Sequence, residues 1–126
     1  YIKLMTLTQL DSVHSMQLDT IYFDYILNGD KEYETRVFDE KRKKIKLLDV
    51  VKFSDKESDR TFKAIITELS WFSNFRDAIS EVGIRKVLPN ARSLEDGVST
   101  YENFDGGNYK KNAEKFGVLR MKFSLL

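Results

Sequence analysis

The chain has 126 residues and a mass of 14.8 kDa, enough for one domain that buries its own core without a disulfide or structural metal. The absence of Cys excludes disulfides, thiol nucleophiles and thiolate metal sites, and a single His argues against a protein zinc site, so neither metal nor cofactor is expected. Lys and Arg total 21 against 20 Asp and Glu, so any attraction to nucleic acid has to come from local clustering. Nine Phe and six Tyr supply core-forming side chains. No apolar run approaches the roughly 20 residues of a membrane span, and the opening Tyr1-Ile2-Lys3-Leu4-Met5 lacks the apolar stretch of a signal peptide. A single cytoplasmic domain over residues 1–126 is expected, with no membrane partner and with residues 1–12 partly flexible.

In chain order, an apolar-polar opening around Val13 to Leu18 leads to Asp19, which can cap a helix over Thr20 to Asn28. Tyr22, Phe23, Ile26 and Leu27 recur there at helical spacing, and Gly29 can end the helix. Tyr33, Thr35 and Val37 then alternate with Glu32, Glu34 and Arg36, a period of two that predicts a strand with one charged and one more apolar face. Residues 50–54 and 62–69 read as further strands, joined by a polar turn over 55–60. Asn74 can cap a helix carrying Phe75, Ala78, Ile79 and Val82, and Ser93 a weaker turn from Leu94. A last helix over 109–116 ends at Gly117, and Leu119, Met121, Phe123 and Leu125 mark the clearest strand. Strands without regular crossover helices predict an α+β domain: a curled, mostly antiparallel sheet forming a small barrel, with helices packed on it.

The densest polar cluster is Gly29-Asp30-Lys31-Glu32-Tyr33-Glu34-Thr35-Arg36. In a strand Glu34 and Arg36 share a face, and Lys31 in the preceding turn can reach it on its long stem. Two cations around one carboxylate suit an anion or a polar heterocycle, because Arg presents a planar fork of donors and Glu accepts from an amino group. The alternative is a solvated strand face on which Glu34 and Arg36 pair weakly. Glu68 shares strand parity with Phe62, Ala64 and Ile66, which points a carboxylate inward near a barrel mouth, where a raised pKa would suit a general base. A bulge, or an inner face made by Lys63, Ile65 and Thr67, would turn it outward.

Lys41-Arg42-Lys43-Lys44-Ile45-Lys46 places five cations in six residues. The run fits phosphate contacts, or an ordinary solvated turn partly neutralised by Asp39, Glu40 and Asp49. Trp71, Phe72, Tyr101 and Tyr109 are available to stack on bases, although Trp71-Phe72 fits a core equally well. His14 carries no signal alone, and there is no phosphate-binding Gly loop, no Ser-His-Asp order and no metal-ligand spacing.

Taken together, these segments resemble the ASCH domain family, whose members have a PUA-like β-barrel fold. The likeness runs from His14-Ser15-Met16-Gln17-Leu18 through the first helix into Gly29-x-Lys31-x-x-Glu34-x-Arg36. It continues in Asp39-Glu40-Lys41-Arg42-x-x-Ile45 and Leu48-Asp49-Val50-Val51-Lys52-Phe53, and closes at Tyr109, Glu114 and Gly117-Val118. Leu48 departs from the pattern, standing where the family usually has Gly. Some small ASCH proteins are amidohydrolases that deacylate acylated cytidine, for which the resemblance implies a catalytic Lys, Thr and Glu. Lys31 matches the Lys and Glu68 approximately the Glu, but Glu34 occupies the Thr position, so the hydroxyl-nucleophile mechanism does not carry over intact. Other ASCH domains look like nucleic-acid or nucleotide binders.

The leading expectation is a binding domain whose barrel-mouth cleft, lined by Lys31, Glu34 and Arg36, takes RNA, a nucleotide or a modified nucleoside. Lys41, Arg42, Lys43, Lys44 and Lys52 would hold phosphates. The alternative is a small amidohydrolase in which Lys31, with Glu34 or Glu68, activates water against an amide on acylated cytidine or a related nucleoside. A third expectation is a domain that binds another protein.

Overall fold

The computed structural model describes residues 13–126, so the expected flexibility of residues 1–12 lies outside the described residues. In order, the elements are β1 (Val13–Leu18), α1 (Thr20–Asn28), β2 (Tyr33–Val37), a 3-10 turn (Arg42–Lys44), β3 (Val50–Asp55) and β4 (Thr61–Phe72). There follow α2 (Phe75–Ser80), α3 (Ile84–Val87), α4 (Leu94–Glu102), a second 3-10 turn (Phe104–Gly107), α5 (Asn108–Phe116) and β5 (Val118–Leu125). The strands form one curled sheet in the order β1-β3-β4-β5-β2, with β1 parallel to β3 and the other neighbours antiparallel. This is the expected α+β domain with a curled, mostly antiparallel sheet and short helices packed on it; the sheet forms a half-barrel, consistent with a small PUA-like barrel.

Val13–Leu18 is a full strand: Met16 and Leu18 are buried while Val13, Ser15 and Gln17 are exposed, the alternation of a strand covered on one face. Its parallel pairing with β3 follows from the long connection between them, which carries α1 and β2 as a crossover. Helix ends follow local chemistry. The Asn74 and Ser93 side chains accept from the backbone N–H groups of Asp77 and Asp96, as their positions predict, and Ser93 opens a complete helix, α4. Asp19 stands at the N-cap of α1 without a side-chain cap bond, so packing of Phe23 and Ile26 holds that helix.

Two apolar clusters make the core. One, inside the curl, holds Met16, Phe23, Phe53, Ile66 and Met121. The other, between the sheet and helices α2 to α5, holds Tyr33, Phe75, Val87, Tyr101 and Val118, and Tyr22 packs against both. Covering on both sides leaves Tyr33, Glu34, Thr35 and Val37 all buried, so the charged face of β2 is not a solvated one.

β4 decides between the two alternatives for Glu68 in favour of the bulge. Ile66 stands opposite Phe123 and Glu68 opposite Lys122, so Thr67 is an extra, bulged residue. The bulge reverses the side-chain parity, and Glu68 emerges exposed, 3.5 Å from Lys122 Nζ and 3.5 Å from the Tyr33 hydroxyl. Leu48, before β3, has φ +72°, the left-handed conformation that glycine adopts freely and other residues rarely.

Candidate functional site

β1 and β2 are the outermost strands of the described sheet, and the curl leaves a seam between them. Arg36 crosses that seam: its Nη2 donates to the Gln17 backbone carbonyl at 2.9 Å, a side chain standing where a ladder bond would close a barrel. A cavity of about 250 Å³ opens there, with Gln17, Tyr22, Glu34, Thr35, Arg36 and Tyr101 in its lining. Leu18, Leu88 and Phe104 add apolar wall, Tyr109 adds another aromatic ring, and Asp19, Lys56 and Asp105 are the exposed charged residues on the lining.

Glu34 is the hub of the wall. Its carboxylate accepts from the Tyr101 hydroxyl at 2.7 Å, from Lys31 Nζ at 3.2 Å, from the Thr35 backbone N–H at 3.1 Å and from Arg36 Nε at 3.2 Å. These partners fill the about four acceptor sites of two carboxylate oxygens. Lys31, only 2% exposed, lies behind the cavity wall and not on it. Its ammonium donates to the Val87 carbonyl at the end of α3, to the Tyr101 hydroxyl at 3.2 Å and to Glu34, a full set of acceptors for three N–H groups. The α3 carbonyl is one of the groups that a helix end leaves unpaired, so Lys31 satisfies the helix as well as the carboxylate.

Electrostatics follow from this packing. Burial raises the Glu34 pKa, but Lys31, Arg36 and the hydrogen bonds from Tyr101 and Lys31 outweigh it and hold the carboxyl at about 2. Burial pulls the Lys31 pKa down, opposed by Glu34, and burial together with Glu34 pushes the Tyr101 phenol well above its usual range. The arrangement keeps a permanent carboxylate between two cations and gives it no freedom to exchange protons near neutrality.

Two polar groups of residues on the cavity lining, Arg36 and Thr35, have hydrogen-bonding capacity to spare. Arg36 commits Nε and Nη2 to Glu34 and Gln17, and Nη1 makes no hydrogen bond among the described residues. The Thr35 hydroxyl is buried beside the Tyr101 phenol and makes no hydrogen bond within 3.5 Å among the described residues. A buried hydroxyl without a partner is costly, and a ligand in the cavity would relieve it.

The spacing of Lys31, Glu34 and Arg36 thus brings the three together as expected, with Lys31 as support and only Glu34 and Arg36 facing the cavity. Lys41 and Arg42 line a second cleft that shares Arg36. Lys43, Lys44 and Lys52 are exposed and line neither cavity. Glu68 also lies outside both, on the sheet face of Tyr33, opposite to that of Glu34. Tyr101 stood out in the sequence only as an aromatic ring, and nothing local connects it to Glu34 across 67 residues. Among the described residues no group of three or more His, Asp or Glu could hold a metal ion.

Neither a family model nor a curated protein matches the chain. Solved structures do, among them two of proteins about as long as this chain. The crystal structure of hypothetical protein PH0355 is 30% identical, matches 90% of this chain and 99% of its own, and superposes with a TM-score of 0.79. The chain belongs to the same family as PH0355. The solution structure of protein PF0455 from Pyrococcus furiosus is 27% identical over 90% of this chain and 97% of its own, with a TM-score of 0.72. Likeness to PH0355 over nearly its whole length carries the fold across and names no activity.

Proposed function

We propose that the chain is an ASCH-type domain that binds a nucleobase, as part of a nucleotide, a modified nucleoside or RNA, in the cavity between β1 and β2. The observation that carries this reading is Arg36, whose Nη1 makes no hydrogen bond among the described residues, on the lining of a cavity of about 250 Å³ that also carries Thr35, Tyr22, Tyr101 and Tyr109. Such a cavity, just below the usual range of about 300–1,000 Å³ for ligand sites, suits one flat ring and excludes a duplex. Arg donates to ring oxygens and nitrogens, a hydroxyl both donates and accepts, and tyrosines cover the faces of a heterocycle. The left-handed backbone at Leu48 also supports the ASCH resemblance, because it is the conformation that the family's Gly would take at that position.

The amidohydrolase reading gains one point from Thr35, whose hydroxyl lies one residue beyond the Thr position implied by the resemblance. It loses more. A hydroxyl nucleophile needs a base within hydrogen-bond reach, and the group beside this hydroxyl is the Tyr101 phenol, which burial and Glu34 keep protonated. Glu34, held near pKa 2, is too weak a base to activate water at neutral pH, and the Lys31 ammonium is fully engaged. Binding without hydrolysis is therefore the better fit to the geometry.

The test is a thermal-shift screen of the purified chain with nucleosides, nucleotides and short single-stranded RNAs, followed by product analysis with acylated cytidine. Ligands that bind the folded state raise its apparent stability by mass action, and Arg36→Met should abolish the rise. No shift with any of these compounds would overturn the reading, and turnover of acylated cytidine lost in Thr35→Val would replace it with the hydrolase.

A further inference from the structure

The seam carries a second cleft, of about 420 Å³, that shares Arg36 and Gln17 with the first cavity. We propose that this cleft is an anion subsite, built by Arg36, Lys41 and Arg42, for the phosphate of a nucleotide whose base occupies the first cavity. The inference rests on the nucleobase reading above for the other half of the ligand.

The chemistry of the lining argues for an anion. Among the described residues it presents, beside the three cations, Ser15, Met16, Gln17 and Ser54, with no carboxylate. Arg42 is the informative residue. Its side chain is 13% exposed, and its Nε is buried without a hydrogen-bond partner among the described residues. Its nearest carboxylate, on Asp39, stands 3.7 Å away, too far for a hydrogen bond. Burial and the nearby Arg36 charge both disfavour the Arg42 cation, while Asp39 only partly compensates. Two guanidinium groups facing one cleft repel each other, and an anion between them converts that repulsion into attraction. A phosphate supplies acceptor oxygens in the geometry that planar guanidinium forks and hydroxyls match.

The same geometry sorts the basic run. Lys41 forms no ion pair among the described residues and lines the cleft, whereas Lys43 is paired with Glu40 at 3.0 Å and points its charge elsewhere. The subsite therefore draws on Lys41 and Arg42, and Lys43 and Lys44 contribute only a diffuse field. Because Arg36 borders both cavities, one guanidinium can touch the base side and the phosphate side of one ligand.

The experiment combines titration calorimetry with ¹⁵N NMR of the arginine Nε–H signals, on the whole chain. The probes are nucleosides, their 5′- and 3′-monophosphates, a trinucleotide RNA and inorganic phosphate. Phosphorylation should tighten nucleoside binding by about tenfold, the worth of one or two charge-assisted hydrogen bonds. The gain should vanish in Lys41→Gln and in Arg42→Met while nucleoside affinity stays constant. Lys41 is exposed, so its variant reports even where loss of Arg42 impairs folding. Inorganic phosphate should shift the Arg42 Nε–H resonance, and comparison of monophosphates with the trinucleotide distinguishes a free nucleotide from an RNA strand as the source of the phosphate.

Nucleosides that bind as tightly as their monophosphates, with the Arg42 resonance unmoved by phosphate, would overturn the subsite and leave the base cavity standing. A phosphate-shifted Arg42 resonance without nucleoside binding would support the anion site and overturn the base reading. Silence from every probe would overturn both.

Discussion

The Tyr101 hydroxyl donates to Glu34 Oε1 at 2.7 Å and accepts from Lys31 Nζ at 3.2 Å, so one phenol ties α4 to the edge strand β2 and to the turn before it. The ring itself is stacked on Phe75, with centroids 5.1 Å apart. Polar network and second core are therefore one mechanical unit, and the cavity wall is as rigid as the packing behind it.

Glu34→Gln should expose the energetic role of this hub. It leaves Lys31 and Arg36 buried beside a neutral amide, and breaking a buried ion pair from one side costs about 3–5 kcal/mol. Tyr101→Phe removes only the bridging hydroxyl and should cost about 1–3 kcal/mol. Urea unfolding midpoints, at unchanged slope, measure both. A Glu34→Gln protein as stable as the wild type would refute the network's structural role.

Acid should unfold the protein through the same residue. The folded Glu34 pKa, about 2, is below its ordinary value of about 4.3, so the folded state favours the ionised form. That contribution is fully present above the ordinary pKa and is lost as pH falls from about 5 through about 2. Melting temperature plotted against pH should fall steeply over this window in the wild type, and more shallowly in Glu34→Gln.

Thr35→Val should separate stability from binding. Replacing an orphaned buried hydroxyl with a methyl of similar shape removes an unpaid desolvation cost and should stabilise the free protein by about 1 kcal/mol. The same change removes a hydroxyl from a residue of the cavity wall, so nucleobase affinity should fall if a ligand reaches it. Equal affinity in both proteins would mean that the hydroxyl meets no ligand.

Leu48→Gly should be neutral or stabilising by up to about 1 kcal/mol, since relief of left-handed strain of about 1–2 kcal/mol exceeds the entropy cost of glycine. Leu48→Val, with a branched Cβ in the same conformation, should destabilise. Chemical denaturation of the pair decides the point, and a strongly destabilised glycine variant would remove backbone strain as the explanation.

Glu68→Gln should change stability by no more than about 0.5 kcal/mol, because its pairing with Lys122 is exposed and long, and it should leave ligand binding untouched. Loss of an activity in this variant would return Glu68 to the site.

Much of the fold was readable because its signals are local. Thr20–Asn28 and Val118–Leu125 carry period and stop signals within their own residues, and Asn74 and Ser93 bond to N–H groups three residues on. Lys31, Glu34 and Arg36 were legible for the same reason: a turn and a strand two residues further place them together. The β1 strand was not, since its apolar positions are few and its partner β3 is far along the chain. The side taken by Glu68 stayed open in the sequence, because the bulge that decides it is defined only by the pairing with β5. Thr35, Gln17 and Tyr101 gained their roles from contacts between β2 and segments remote in sequence, which no window of neighbouring residues contains.

β5 sits between β4 and β2 in the sheet, although it follows every other described strand in sequence. During synthesis, β2 leaves the ribosome with no ladder partner and must wait for residues 118–122. A chain halted before that point keeps β1, β3 and β4 as a three-stranded fragment with an open edge, the form in which nascent chains attract chaperones or each other. Assembly of the seam, and with it the capacity to hold a ligand, thus waits until β5 has been made.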